Sequence, residues 1–280
     1  MSNNDYRPQG AFGALPNVVK NLLIINVLLF LLTLYYQSRG IDLTDLFGLH
    51  YFESSKFSVF QIVSYMFMHD PSGFMHIGFN MLGLFIFGGA VENTLGPKKF
   101  LTLYLLTGFG AAITHYAIVY YQLSPTIAFF NDYLDNTSIE KLSALIHSDA
   151  YGSRFKPEFF TTLQSDPSAA LIQSIDYVSI FKEELLNAPV LIGASGAVYG
   201  VLVGYLMLFP NNTIYLFFAL PIKAKYAIVI FGFLSLNAGI RGGDNVAHFA
   251  HLGGLVTGII IVLLWRRNKG RRQDNFFDQN

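Results

Sequence analysis

Ser195, His248, His251, His76 and Asn80 all lie inside or at the ends of long apolar runs. Polar side chains are costly in such runs and are functional candidates for that reason. Ser195 stands in Gly193-Ala194-Ser195-Gly196, and Gly200 and Gly204 follow at intervals of four. The glycines form a smooth helix face that lets another helix come close, and a serine in such a face is ordinarily structural. Its position argues for more. A serine at a helix N-terminus, flanked by glycines, exposes its hydroxyl beside backbone N–H groups with no intrahelical acceptor. Those groups can receive an oxyanion, so the chemistry offered is acyl transfer.

A serine nucleophile needs a base. His248 and His251 are three residues apart and lie near one helix face. One reading of the pair is a metal site, but no HExxH glutamate accompanies it and spacing fixes no third ligand, so no metal and no cofactor is expected. The other reading makes one histidine the base. Gly254 and Gly258 continue the His251 face at +3 and +7. This second smooth strip matches the one after Ser195, and contact between them would bring His251 to Ser195. Tyr199, one turn after Ser195, is either a packed ring with a satisfied hydroxyl or the group that holds the histidine. No acidic residue in either run completes a triad, so a dyad is expected. His76 and Asn80, four apart, either bridge helices or offer two donors to supplement a backbone N–H in an oxyanion hole. His69 reads as a supporting loop residue and His115 as structural.

Six apolar runs must position these residues, each near the 20 or so residues a membrane span needs. They are Val18 to Tyr36, Phe74 to Val91, Phe100 to Tyr121, Gly193 to Phe209 (ended by Pro210-Asn211-Asn212), Tyr226 to Leu236 with extensions, and Val246 to Trp265. Composition agrees: 52% of the 280 residues are hydrophobic and 13% charged, against roughly 25% charged in soluble domains, and mean hydropathy is +0.43. The expectation is an all-α polytopic membrane protein of six transmembrane helices in contact with the lipid bilayer. Net charge is zero, so nothing global suggests nucleic acid, and zero cysteines remove disulfides, thiolate zinc sites and cysteine nucleophiles. The first run lacks a basic leader and a small-residue cleavage site, and reads as a retained span.

Residues 122–187 differ in character. They hold nine of the 18 acidic residues, with Leu142, Leu145, Ile146, Leu171, Ile172 and Ile175 at helix-like spacing. A soluble, partly helical insertion between helices 3 and 4, lying on the membrane surface, is expected. The organisation is then a 1–17 N-terminal segment, an 18–265 six-span domain carrying the insertion, and a basic 266–280 tail. Eleven of the 18 basic residues fall on the side of the termini, among them Lys98, Lys99, Lys223, Lys225, Arg266 and Arg267. Both termini are therefore expected in the cytoplasm and the insertion outside, in a bacterial inner membrane.

Taken together, His76-Ile-Gly-Phe-Asn80, Gly193-Ala-Ser195-Gly196 and Ala250-His251-Leu-Gly-Gly254 with Gly258 resemble the rhomboid family of intramembrane serine proteases. Gly88-Gly-Ala-Val-Glu92 through Gly96, and Tyr199, are further matches. The resemblance implies a rhomboid-like bundle with Ser195 as nucleophile and His251 as general base. His76, Asn80 and the Ser195 amide would form the oxyanion hole, and Tyr199, Gly193, Gly196, Gly254 and Gly258 would support it. It also selects His251 over His248, because only His251 has glycine at +3 and +7. Its substrates would be single-span or polytopic membrane proteins. The long insertion and the lack of an identifiable tryptophan–arginine pair in the first external loop depart from the compact pattern. Access for substrate is expected past the fifth span and a loop at Asn237 to Asn245, with Gly239, Gly242 and Gly243 permitting movement. The rivals are a rhomboid-like protein that binds membrane proteins without cutting, and a transporter, for which no inverted repeat speaks.

Overall fold

The first apolar run becomes helix α1, Asn17–Gln37, and its N-terminus shows what the next run must supply. The Val18 and Val19 amides donate to the Glu92 carboxylate at 3.0 and 2.8 Å, although Glu92 is buried. A helix N-terminus presents unpaired N–H groups and a partial positive charge, which a carboxylate complements. Glu92 belongs to α2, Phe74–Leu95, which carries one π-helical turn at Leu84–Gly88. At Gly96 the backbone takes φ 81°, and Pro97 opens α3, Pro97–Asp135. The computed structural model describes residues 15–216, 219–241 and 245–277. The expected N-terminal segment, the end of the basic tail and Gly242 and Gly243 of the expected access loop lie wholly or partly outside them.

Later elements include α4 Ile139–Ile146, α5 Pro157–Ser165, α6 Pro167–Asn187, α7 Ser195–Leu208, the strands β1 Thr213–Leu216 and β2 Leu220–Lys223, α8 Ala224–Arg241 and α9 Asn245–Phe277. The strands β1 and β2 form an antiparallel hairpin, with Thr213 opposite Lys223. The fold is all-α and polytopic. Among the described residues, four helices, α1, α2, α3 and α9, are long and apolar enough to cross a membrane, and α7 and α8 are shorter apolar helices. Large apolar side chains such as Leu28, Ile113, Val229 and Leu263 face outwards, which suits a lipid solvent and not water.

The chain divides into two compact units. The first comprises the residues up to Leu49, Ser58–Tyr116, and the chain from Leu191 on. Its centre is α7, which is apolar all round and buried along most of its length. Glycine is what allows α7 to be crowded on two sides. A Cβ at Gly196 or Gly200 would overlap Ala111 or Thr107 of α3, while one at Gly254 of α9 would overlap the Gly196 carbonyl oxygen. At Gly258 it would come to 3.1 Å from the Gly200 Cα. The two strips meet, Gly254 against Gly196 and Gly258 against Gly200. The α9 glycines approach the α7 backbone, and the α7 glycines make room for α3.

The second unit comprises His50–Phe57 and Ala117–Val190. Here α3 overruns its expected end at Tyr121, passing through Pro125 to Asp135. Phe130 and Tyr133 near its end are fully buried in a core with Leu142, Leu145, Phe155, Phe159, Ala170, Val178 and Phe181; burial of that face sustains the extra turns. Caps set the other helices. Ser138 accepts from the Lys141 amide before α4, and Asp166 accepts from Ser168 and Ala169, with Pro167 opening α6. Leu142 and Leu145 are buried, but Ile172 is 72% exposed. A second departure is at the expected access loop, where the chain from Asn237 to Arg241 continues helix α8.

Candidate active site

Ser195 is the first residue of α7, and the preceding Ala194 offers no side-chain cap. The Ser195 hydroxyl is therefore not consumed by its own helix, and the first-turn amides lack intrahelical acceptors. Across from it, the His251 Nε2 lies 2.7 Å from the Ser195 Oγ. This contact follows from the Gly254 and Gly258 contacts with α7, because any side chain at Gly254 would push α9 away. For Nε2 to accept from the hydroxyl, Nδ1 must carry the ring proton. The buried Nδ1 has no hydrogen-bond partner among the described residues. The ring is held instead by stacking, since Tyr199 lies 4.5 Å away at an interplanar angle of 7°. His248 meets the His251 ring edge-on at 6.0 Å.

Gly193 brings the second run to the same place. Its φ of +116° is open to glycine alone without strain. A Cβ there would lie 2.8 Å from the His76 Nε2 and 3.7 Å from the Ser195 Oγ. His76 and Ser195 thus flank one small space above Gly193. The Gly193 amide donates to the Tyr65 carbonyl at 2.9 Å, which pins this residue. Tyr65 is itself anchored, its hydroxyl donating to the Gly108 carbonyl at 2.7 Å.

The tautomer of His76 can be read from its neighbours. The Asp70 amide donates to the His76 Nδ1 at 3.3 Å, so Nδ1 is an acceptor and the proton sits on Nε2, the atom that faces Gly193. The Asp70 turn is fixed in turn by the Ser72 amide and hydroxyl, which donate to its carboxylate at 2.9 and 2.8 Å. Those bonds hold the Asp70 carboxyl below its ordinary range. Asn80 uses one amide hydrogen on the His76 carbonyl at 3.0 Å, and the same nitrogen carries a second. His69, read as a supporting loop residue, is buried with its ring 5.1 Å from that of His76.

Sequence reasoning named Ser195, His251, His76, Asn80, Tyr199 and the glycines, but gave no role to Tyr65, Asp70, Thr107 or Glu92. Their signals are weak. A backbone carbonyl or amide that does the positioning leaves no trace in residue type. Glu92, an acid directly after an apolar run, was the one legible clue. Chemically, the arrangement offers a hydroxyl on a base, beside backbone and side-chain N–H donors.

A rhomboid domain family model matches residues 56–127 and 168–268, more than half of the chain. The chain belongs to the rhomboid family. It is similar to RHOMBOID-like protein 12, mitochondrial, of Arabidopsis thaliana, with 26% identity over 91% of this chain and 60% of that protein. It is also similar to Rhomboid protease GlpG of Haemophilus influenzae, with 34% identity over 35% of this chain and 48% of that protein. A third relative, Rhomboid-like protein 17, chloroplastic, of Arabidopsis thaliana, is 24% identical over 71% of this chain and 49% of its own length. The chain thus spans less than two thirds of the length of these rhomboid relatives. No solved structure matches. The rhomboid model skips residues 128–167, inside the second unit. With its family and its apolar helices, the chain is an integral membrane protein.

Proposed function

We propose that this rhomboid is an intramembrane serine endopeptidase, with Ser195 as nucleophile and His251 as base. The observation that carries the reading is the 2.7 Å hydrogen bond between them at the start of a helix. In the proposed reaction the Ser195 proton passes to the His251 Nε2 as Oγ bonds to the scissile carbonyl carbon. The negative oxygen is received by the first-turn amides of α7, the His76 Nε2–H and the second amide hydrogen of Asn80. The imidazolium returns its proton to the departing amine, leaving an acyl-enzyme. Water, deprotonated by His251, then frees the acid and restores the serine. Tyr199 takes the orienting part that a carboxylate has in a triad, by stacking.

Helix length supports a recessed, wetted site. Fourteen residues of α7 extend about 21 Å at 1.5 Å per residue, short of the roughly 30 Å hydrocarbon core. Its C-terminal end meets a cation, with Arg266 donating to the Met207 carbonyl. With that end at the cytoplasmic face, Ser195 begins at depth below the external one, where an open cavity can admit water. The basic ends support cytoplasmic termini and an external insertion. We assign the chain to a bacterial inner membrane on the same reading.

Lateral access of a substrate is supported by a cavity of about 570 Å³ in the first unit, walled by Phe79, Phe87, Tyr199, Tyr205 and Phe231. It lies between the second and fifth spans, and it begins beside the ring that stacks on His251. A helical substrate presents peptide bonds already paired, so it must unwind near the cut, and glycine or other small residues there favour cleavage.

The test is cleavage of a single-span reporter by the purified protein and by Ser195→Ala and His251→Ala. Wild type should cut and be labelled at Ser195 by a serine-reactive probe, and both variants should be silent. Full activity in either variant would sink the assignment. A wild type that binds the reporter without cutting or labelling would identify a silent, binding rhomboid.

A further inference from the structure

The second unit turns an unusual face outwards. Along α6, Ala170, Ser174, Val178 and Phe181 face the aromatic core. Ile172 and Ile175 do not, and are 72% and 36% exposed. Ile139 at the start of α4 is also exposed, by 51%. Single exposed apolar side chains are ordinary. These three are not scattered, because with Thr137, Pro167 and Leu171 they wall one groove of about 500 Å³. Folding of the unit does not account for all of it, since Leu171 packs against the core whereas Ile139, Ile172 and Ile175 do not.

Charge narrows the occupant. Residues 117–190 hold nine acidic and four basic side chains, a net charge of −5. Asp176 is exposed and stands one turn from Ile172 on the same helix face, and exposed Glu140 follows Ile139. Asp132, by contrast, is paired with Lys141 at 2.6 Å. An anionic bilayer surface would be repelled by this balance. A segment both apolar and cationic would be attracted. The rhomboid model skips 128–167, so Thr137, Ile139 and Pro167 stand outside the common domain, and the groove is an addition to it.

We propose that this groove docks a short stretch of the substrate flanking its span, one that carries branched apolar side chains together with Lys or Arg. The identity of the partner rests on the protease reading above; the chemistry of the groove does not. External flanks of membrane proteins are ordinarily poor in Lys and Arg, so such a flank marks out a few substrates from many. Docking away from the scissile bond binds ground state and transition state alike, so it lowers KM and leaves kcat alone.

The experiment uses the full chain in nanodiscs and two reporters with identical spans, one flanked by Leu, Ile and Lys and the other by Leu, Ile and Glu. The basic reporter should show a KM about tenfold lower. Ile172→Asp and Asp176→Lys, both at exposed positions, should each remove that advantage with kcat unchanged. A photoreactive side chain at position 172 of the Ser195→Ala protein should cross-link the basic flank peptide and not the acidic one. This arm does not need cleavage. Cross-linking with an uncut reporter therefore retains the groove and rejects the protease, whereas cleavage with equal KM values and no cross-link does the reverse. Cross-links to phosphatidylglycerol or to a second copy of the chain, in place of the basic peptide, would also overturn the docking proposal.

Discussion

At the scale of single residues, the site depends on atoms that cannot be replaced by similar ones. Gly193→Ala places a methyl group 2.8 Å from the His76 Nε2 in a backbone conformation that alanine resists. Cleavage should fall about 100-fold or more, the scale of losing one oxyanion donor, while the melting temperature moves little. A variant with wild-type kcat would show that His76 does not act on the oxyanion. Tyr199→Phe keeps the ring that stacks on His251 and should stay active, whereas Tyr199→Leu removes the stack and should lose kcat. Equal activity in both would assign the orienting role elsewhere. His69 gives a pH prediction. Burial first, then the neighbouring His76, pushes it from 6.5 down to about 4. Its folded value lies below its unfolded one, so the stability linked to it is complete above about pH 6.5 and lost as pH falls towards 4. The gap corresponds to roughly 3 kcal/mol. Thermal unfolding between pH 7.5 and 5 should show a decline that His69→Gln reduces; an identical decline in the variant would put the acid sensitivity elsewhere.

At the scale of elements, the contact of α9 with α7 is made by absent side chains. A Cβ at Gly254 would overlap the Gly196 carbonyl oxygen, so Gly254→Val must separate the helices that hold His251 and Ser195. Overpacking of this kind costs about 1–3 kcal/mol, and the effect on activity should be far larger than that on melting temperature. Preserved probe labelling of Ser195 in this variant would contradict the account. Glu92→Gln tests the cap on α1. A neutral amide accepts at one atom only and loses the charge, so about 1–2 kcal/mol of stability should go, without a change in KM. The order and type of the six apolar helices were legible because runs of apolar residues report burial or lipid directly. The end of α3 was not. Nothing local distinguishes Tyr121 from Asp135 as a stopping point, and Pro125 argues for the wrong one; the aromatic core around Phe130 and Tyr133 decides it.

At the scale of the whole molecule, two units with separate cores imply separable stabilities. Phe159 is fully buried in the second unit, and Phe159→Ala should cost about 3–5 kcal/mol there. Hydrogen exchange should show lost protection confined to 117–190, while Ser195 stays reactive to the probe. Uniform loss across the chain would instead mean one cooperative block. Sequence marked this region by its nine acidic residues. It could not separate Leu142, which is buried, from Ile172, which is not, because both fit a helical period and only the neighbouring helices choose the inner face.

The sequence by itself determined that this chain lives in a membrane, that it is helical, and which few polar residues its apolar runs can hold only for a reason. Composition and short motifs suffice for that, because each is a local statement about solvent and backbone. Tertiary structure decided which atoms meet. The proton position on His76 follows from the turn at Asp70, whereas the 2.7 Å approach of His251 to Ser195 and the ring of Tyr199 against the imidazole depend on how closely α9 can lie on α7. That distance is set by glycines acting on another helix, and no one-dimensional pattern states which helix that will be.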